Sequence, residues 1–346
     1  MKLNDWKRTL RNLGYPELPR AERRPPSGLA AMYGSASAPK LGHIKDISST
    51  GIYLQTEERW RIGEVISMTL QREAPSECLS QLQINVQARV ATHGEDGVGL
   101  AFVLPTDLDS TLWEALVDHA DAQPETEHIA YLFRLVRTIL FLSRLCPSGA
   151  QEAIQSLGNE LDASRTRSAM KIALRAEELL AEQPDAGLMH AHPRIVASIL
   201  REASWSNDDL LNQLWAGLLA STCAVEETDE SYHAFAELLV QISAAQARIF
   251  VAGCRRAREM MSELEKAPSG QIIITPEEMT KITGTSDFFR NAAEISSLFH
   301  LGLLEKVVNL TSYIPKDTIN ITPSHLGLEL YGRCRGHALS GSRNSL

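Results

Sequence analysis

Two short strings near the N-terminus bring together side chains able to hold an anionic ligand: R-A-E-R-R at 20–24 and D-I-S-S-T-G at 46–51. Arg20 and Arg24 offer two planar guanidinium forks of the kind that grip phosphate oxygens and base edges. Asp46 supplies a carboxylate acceptor and Ser48 a hydroxyl. Gly51 marks a place where backbone can approach a ligand closely. The bland reading of the same residues makes 20–24 a solvated basic stretch and 46–51 a strand-connecting turn.

The surrounding pattern says what must position these groups. Between 28 and 104 the chain breaks into short β-like runs at 29–33, 41–47, 51–55, 64–70, 82–91 and 98–104. Six such strands suit a small antiparallel barrel. The arginine string then precedes the first strand and D-x-S-x-x-G joins the second to the third, so the two meet at one barrel end. A short helix over 2–13 is expected ahead of the proline-rich link at 16–26. After Pro105 a capped helix is expected to pack Leu112, Trp113 and Leu116 on the barrel.

R-x-x-x-R followed 22 residues later by D-x-S-x-x-G resembles the signature of the PilZ family, as does the closing strand G-V-G-L-A-F at 97–102, of the form G-x-G-x-x-F. The resemblance covers residues 16–120 and departs from the pattern at Thr50, where a second Gly is common. It implies cyclic di-GMP as the ligand, with Arg20, Arg24, Asp46, Ser48 and Gly51 as binding residues. It implies no cofactor besides.

Beyond the A-Q-P-E-T-E linker, apolar positions recur at three- and four-residue spacing. Helices are expected over 127–145, 149–158, 163–182, 192–204, 207–223, 229–262 and 286–301. The segment 192–221, with L-N-Q-L-W-A-G-L-L-A at 211–220 after an acidic pair, is similar to the abortive-infection alpha (Abi-alpha) type of helical domain. That resemblance implies a fold more than an activity. The last 75 residues are expected to form a winged-helix-like unit. Its helices start at Thr275 and Asp287, its wing pairs 304–310 with 318–321, and a closing helix begins in 322–330.

The expected organisation is therefore a multidomain β + α chain. A basic arm (1–19) precedes a PilZ β-barrel (20–120), an all-α Abi-alpha-like domain (125–265), a winged-helix-like unit (271–336) and a tail (337–346) expected to fray.

Composition narrows the function. The 346 residues are 44% hydrophobic and 22% charged with a net charge of −9, as in an ordinary globular protein. Residues 1–24 nonetheless hold seven Lys/Arg against three Asp/Glu. Residues 271–346 hold seven of each sign, and the candidate recognition helix has a single Arg, which argues against nucleic-acid binding. The five cysteines are odd in number, scattered and free of C-x-x-C, so neither a zinc site nor a disulfide framework is expected. His190 and His192 read as solvent histidines before a helix rather than metal ligands. The acidic pair Asp208 and Asp209 reads as a helix start. The stretch 129–146 reads as an amphipathic helix, not a membrane span, and no secretory leader is seen, so a cytoplasmic location is expected. No nucleotide-hydrolase, zinc-protease or nucleophile-elbow string is present. The reading is a non-enzymatic cyclic di-GMP receptor that relays the messenger through its helical part to an unknown protein partner. The alternatives are a PilZ-like scaffold without nucleotide binding that serves protein–protein contact and, behind it, a DNA-binding winged-helix regulator.

Overall fold

Alternation of apolar and polar residues drives the N-terminal architecture. Along 85–90 the odd positions are exposed and Val86, Ala88 and Val90 are buried, and along 65–70 Ile66, Met68 and Leu70 are buried in the same way. A computed structural model describes residues 29–35, 38–48, 51–72, 84–103, 125–147, 149–155, 157–158, 161–181, 190–223, 231–264, 271–305 and 318–335. Six strands, β1 (Leu29–Ser35), β2 (Ala38–Ser48), β3 (Gly51–Gln55), β4 (Val65–Arg72), β5 (Ile84–His93) and β6 (Gly97–Phe102), lie at nearly the expected positions. They form a closed barrel in the order β1-β2-β3-β6-β5-β4, each neighbouring pair antiparallel. Ile44, Leu54, Leu70, Ala88 and Val98 are completely or almost completely buried inside it. Burying one such Ile, Leu or Val stabilises the fold by about 1.5–3 kcal/mol relative to exposure. The expected helices over 2–13 and after Pro105, with Leu112, Trp113 and Leu116, lie outside the described residues, as does the tail 337–346.

Contacts divide the chain into two compact units, residues 1–143 and 144–346. Ten helices are present among the described residues, starting with α1 (Glu125–Leu145) across the division and α2 (Ala150–Gln155). In the second unit α3 (Ala163–Ala181), α4 (Pro193–Ala203) and α5 (Asp209–Ser221) pack on one another. Asp208 caps α5, its carboxylate accepting from the backbone N–H of Leu210 and Leu211 at 3.0 and 3.1 Å. It also accepts from Arg248 at 2.8 Å, so the acidic pair has a structural role at a helix start.

The single helix expected over 229–262 is two helices, α6 (Ser231–Val240) and α7 (Ala244–Leu264). The break has a local cause. Ser243 and Gln246 form a reciprocal cap, Gln246 N–H donating to the Ser243 hydroxyl at 3.1 Å and Ser243 N–H to the Gln246 side-chain oxygen at 2.9 Å.

The remaining elements are β7 (Ile273–Ile274), α8 (Pro276–Thr283), α9 (Phe288–His300), β8 (Ile319–Asn320) and α10 (His325–Arg333). Thr275 and Glu278 close a capping box on α8, and Asp287 caps α9. β8 pairs with β7, Ile273 facing Asn320, while Leu304 makes one antiparallel bridge to Pro323. Glu305 N–H donates to the Thr322 carbonyl at 2.9 Å, and Ile272 bonds the same stretch, its N–H donating to the Thr322 hydroxyl at 2.8 Å and its carbonyl accepting from Ile321 N–H at 2.9 Å. Residues 306–317, most of the expected first wing strand, lie outside the described set. Helices α8, α9 and α10 all pack on α7, where Phe250 is completely buried and meets Tyr331 edge to face at 6.2 Å.

Candidate ligand-binding site

The hairpin of β2 and β3 carries the D-x-S-x-x-G string, and its pairing explains how Asp46 is presented. Ile44 faces Leu54, Asp46 faces Tyr53, Ile47 faces Ile52 and Ser48 faces Gly51, with a register shift between Ile44 and Asp46. Lys45 is the extra residue of this bulge. A regular strand would turn Asp46 to the same side as Ile44, into the barrel. With the bulge, Ile44 and Ile47 are both buried, Lys45 is exposed and Asp46 is half-buried. The bulge thus aims a carboxylate outward beside Tyr53 while the hydrophobic register resumes one residue later.

Gly51 has a packing reason of its own. A Cβ there would lie 2.0 Å from the Leu100 carbonyl oxygen on β6, and one at Gly97 would lie 2.1 Å from that of Leu54 on β3. These backbones meet too closely for any side chain, so the glycines of both strings set the β3–β6 approach.

Next to Asp46 stands a polar cluster that sequence reasoning missed. Asp96, in the turn between β5 and β6, accepts from Tyr53 OH at 2.7 Å, Gln55 Nε2 at 2.8 Å and Lys45 Nζ at 2.9 Å. The Lys45 ammonium also lies 5.5 Å from the centroid of the Tyr53 ring. The hydrogen bonds from Gln55, Lys45 and Tyr53 hold the Asp96 carboxyl well below the usual carboxylate range. In return Asp96 raises the Lys45 ammonium and the Tyr53 hydroxyl above their ordinary values. For the carboxyl, a depressed folded value means its stabilisation is complete above the unfolded value and lost only as pH falls through the folded one. For Tyr53, the raised value means the contribution persists until pH rises past the ordinary tyrosine range. The cluster is therefore expected to be invariant from about pH 5 to pH 9. A carboxyl carbon titration by NMR checks this: Asp96 is expected to titrate below the ordinary carboxylate range, and an inflection at the ordinary aspartate value of about 4 would show that the three donors do not converge on it.

The structure brings Asp46 and Gly51 onto one hairpin, with the backbone of Ser48 paired to Gly51. Arg20, Arg24 and the Ser48 side chain lie outside the described residues. His190 and His192 are exposed just before α4, and among the described residues no three His, Cys, Asp or Glu side chains converge as a metal site. Cys146, Cys223, Cys254 and Cys334 are free and buried, burial pushing the Cys146 and Cys223 thiols up to about 12.

Comparison with known families fits this geometry. Residues 19–119 match the PilZ domain, a span that holds both strings and all six strands. The chain carries a PilZ domain. A PilZ domain is a binding domain of the cyclic di-GMP receptor family, not a catalytic one. Residues 163–322 match Abortive infection alpha, so an Abi-alpha domain follows the PilZ barrel. The Abi-alpha match runs from α3 through β8, across both the helical segment and the strand pair β7–β8. No curated protein matches the chain. Among the described residues, no helix is long and apolar enough to cross a membrane.

Proposed function

We propose that the chain is a cyclic di-GMP receptor in which the PilZ barrel takes up the messenger and the Abi-alpha domain delivers the output without catalysis. The observation that carries this reading is the bulged hairpin, which turns Asp46 out beside Tyr53 within a PilZ match that also contains R-x-x-x-R. In this reading Arg20 and Arg24 bind phosphates and guanine edges, Asp46 accepts from guanine N–H groups, Ser48 bonds a phosphate, and Gly51 keeps the hairpin end free of a side chain. A protein is the favoured output partner over DNA. Helix α9 exposes Phe288 (64%) and Phe289 (83%) and carries one arginine, which suits an apolar contact better than a phosphate backbone.

Calorimetry of the full chain with cyclic di-GMP is expected to give saturable binding, and its absence would leave the PilZ-like scaffold as the better account. Relay is tested by hydrogen exchange. Ligand-dependent protection is expected over residues 8–26 and in at least one helix after residue 125, and protection confined to the barrel and its arm would sever the output step.

A further inference from the structure

Helices α3, α5, α7 and the end of α10 enclose a cavity of about 560 Å³, and its rim is made of Arg175, Arg255, Arg258 and Arg335. In a chain of net charge −9, four guanidinium groups at one cavity are a local reversal of sign. Their pairing is as informative as their number. On α7 the arginines outside the cavity have carboxylate partners, Arg248 with Asp208 and Arg256 with Glu278 at 2.8 and 2.7 Å. Arg255 and Arg258, one helical turn apart on the same helix, have no ion pair among the described residues, and neither has Arg335. Arg175 is held by Glu178 of its own helix at 2.7 Å, an exposed pair that an incoming anion can displace at little cost. One carboxylate, Glu259, also lines the cavity.

The floor is of another kind. Leu214, Val251 and Tyr331 are buried beneath the rim. An apolar, partly aromatic floor under several unneutralised guanidinium forks suits a ligand with a carbon ring system at one end and several phosphates at the other. An inorganic anion would use the rim and leave the floor wet, and a nucleic acid would need basic surface continuing beyond the cavity. We infer that this cavity of the Abi-alpha domain is a binding site for a nucleoside polyphosphate, distinct from the PilZ site and independent of what the barrel binds.

The test uses the full chain with ATP as probe, followed by calorimetry and by anisotropy of a fluorescent ATP analogue. Saturable binding of one ATP is expected, weakening as salt is raised. The double variant Arg255→Gln/Arg258→Gln is expected to bind at least about tenfold more weakly, since each change removes a charge-assisted fork. Arg256→Gln, one position along but outside the cavity, should leave the affinity unchanged, as should Arg20→Ala in the barrel arm. The three variants are checked for folding by their melting curves. Should the double variant melt early, Arg335→Gln, in the turn after α10, carries the same expectation from outside α7. The inference is overturned if the wild-type chain binds no ATP, if the cavity variants bind as tightly as wild type, or if Arg20→Ala abolishes ATP binding. It is equally overturned if a single-stranded oligonucleotide binds in preference to ATP.

Discussion

Replacing Arg20 or Arg24 with alanine is expected to weaken cyclic di-GMP binding about 10- to 150-fold, each change deleting a charge-assisted hydrogen-bonding fork worth about 1.5–3 kcal/mol. Both residues precede β1, and the barrel closes through strands that begin at Leu29, so its melting temperature should hold. Calorimetry of the two variants beside the wild type gives the affinities. Equal affinity in all three would take both arginines out of the site, leaving Asp46 and its hairpin to account for any binding that remains. Asp46→Ala should also weaken binding, and because the bulge already turns this carboxylate away from the core, the loss should come without unfolding.

The largest stability effect is expected from Gly217→Ala. In an exposed helix the change from Gly to Ala would stabilise by up to about 1 kcal/mol. Here α5 crosses the end of α10, and a Cβ on Gly217 would lie 1.7 Å from the Cys334 carbonyl oxygen and 2.3 Å from its carbon. Both are backbone atoms, so no rotamer relieves the overlap and α10 has to move. Overpacking of this sort costs about 1–3 kcal/mol and more where backbone must shift, which outweighs the propensity gain. A denaturant titration should show a net loss of about 2 kcal/mol or more. A midpoint equal to or above wild type would mean that the two helices do not approach so closely.

Much of this architecture was legible in the residues. The strands read clearly because a closed barrel needs one apolar face on every strand, and Val86, Ala88 and Val90 or Ile66, Met68 and Leu70 repeat that period without interruption. The break between α6 and α7 was also written in the chain as S-A-A-Q at 243–246, but the apolar period continues through it and outvoted the cap. The pairing of β7 with β8 was not legible, since two-residue strands carry no period and are selected by neighbouring bonds. The site divides in the same way. Asp46 and Gly51 were marked by their string, yet the outward turn of Asp46 depends on a bulge, a property of two paired strands that neither shows alone. Asp96 was hidden because E-D-G reads as an ordinary turn. Its three donors come from β2 and β3, some forty to fifty residues earlier.

Closure of the barrel has a consequence for how this protein can be read by others. Every strand from β1 to β6 has a hydrogen-bonded neighbour on both sides, so the barrel exposes no free edge to which an extended peptide could add as a further strand. Recruitment by β-augmentation, and the edge-to-edge self-association that threatens open sheets, are both closed to these six strands. A partner that senses the barrel has to recognise side chains and strand-joining turns, the same surface on which Lys45, Asp46, Tyr53 and Asp96 are arrayed.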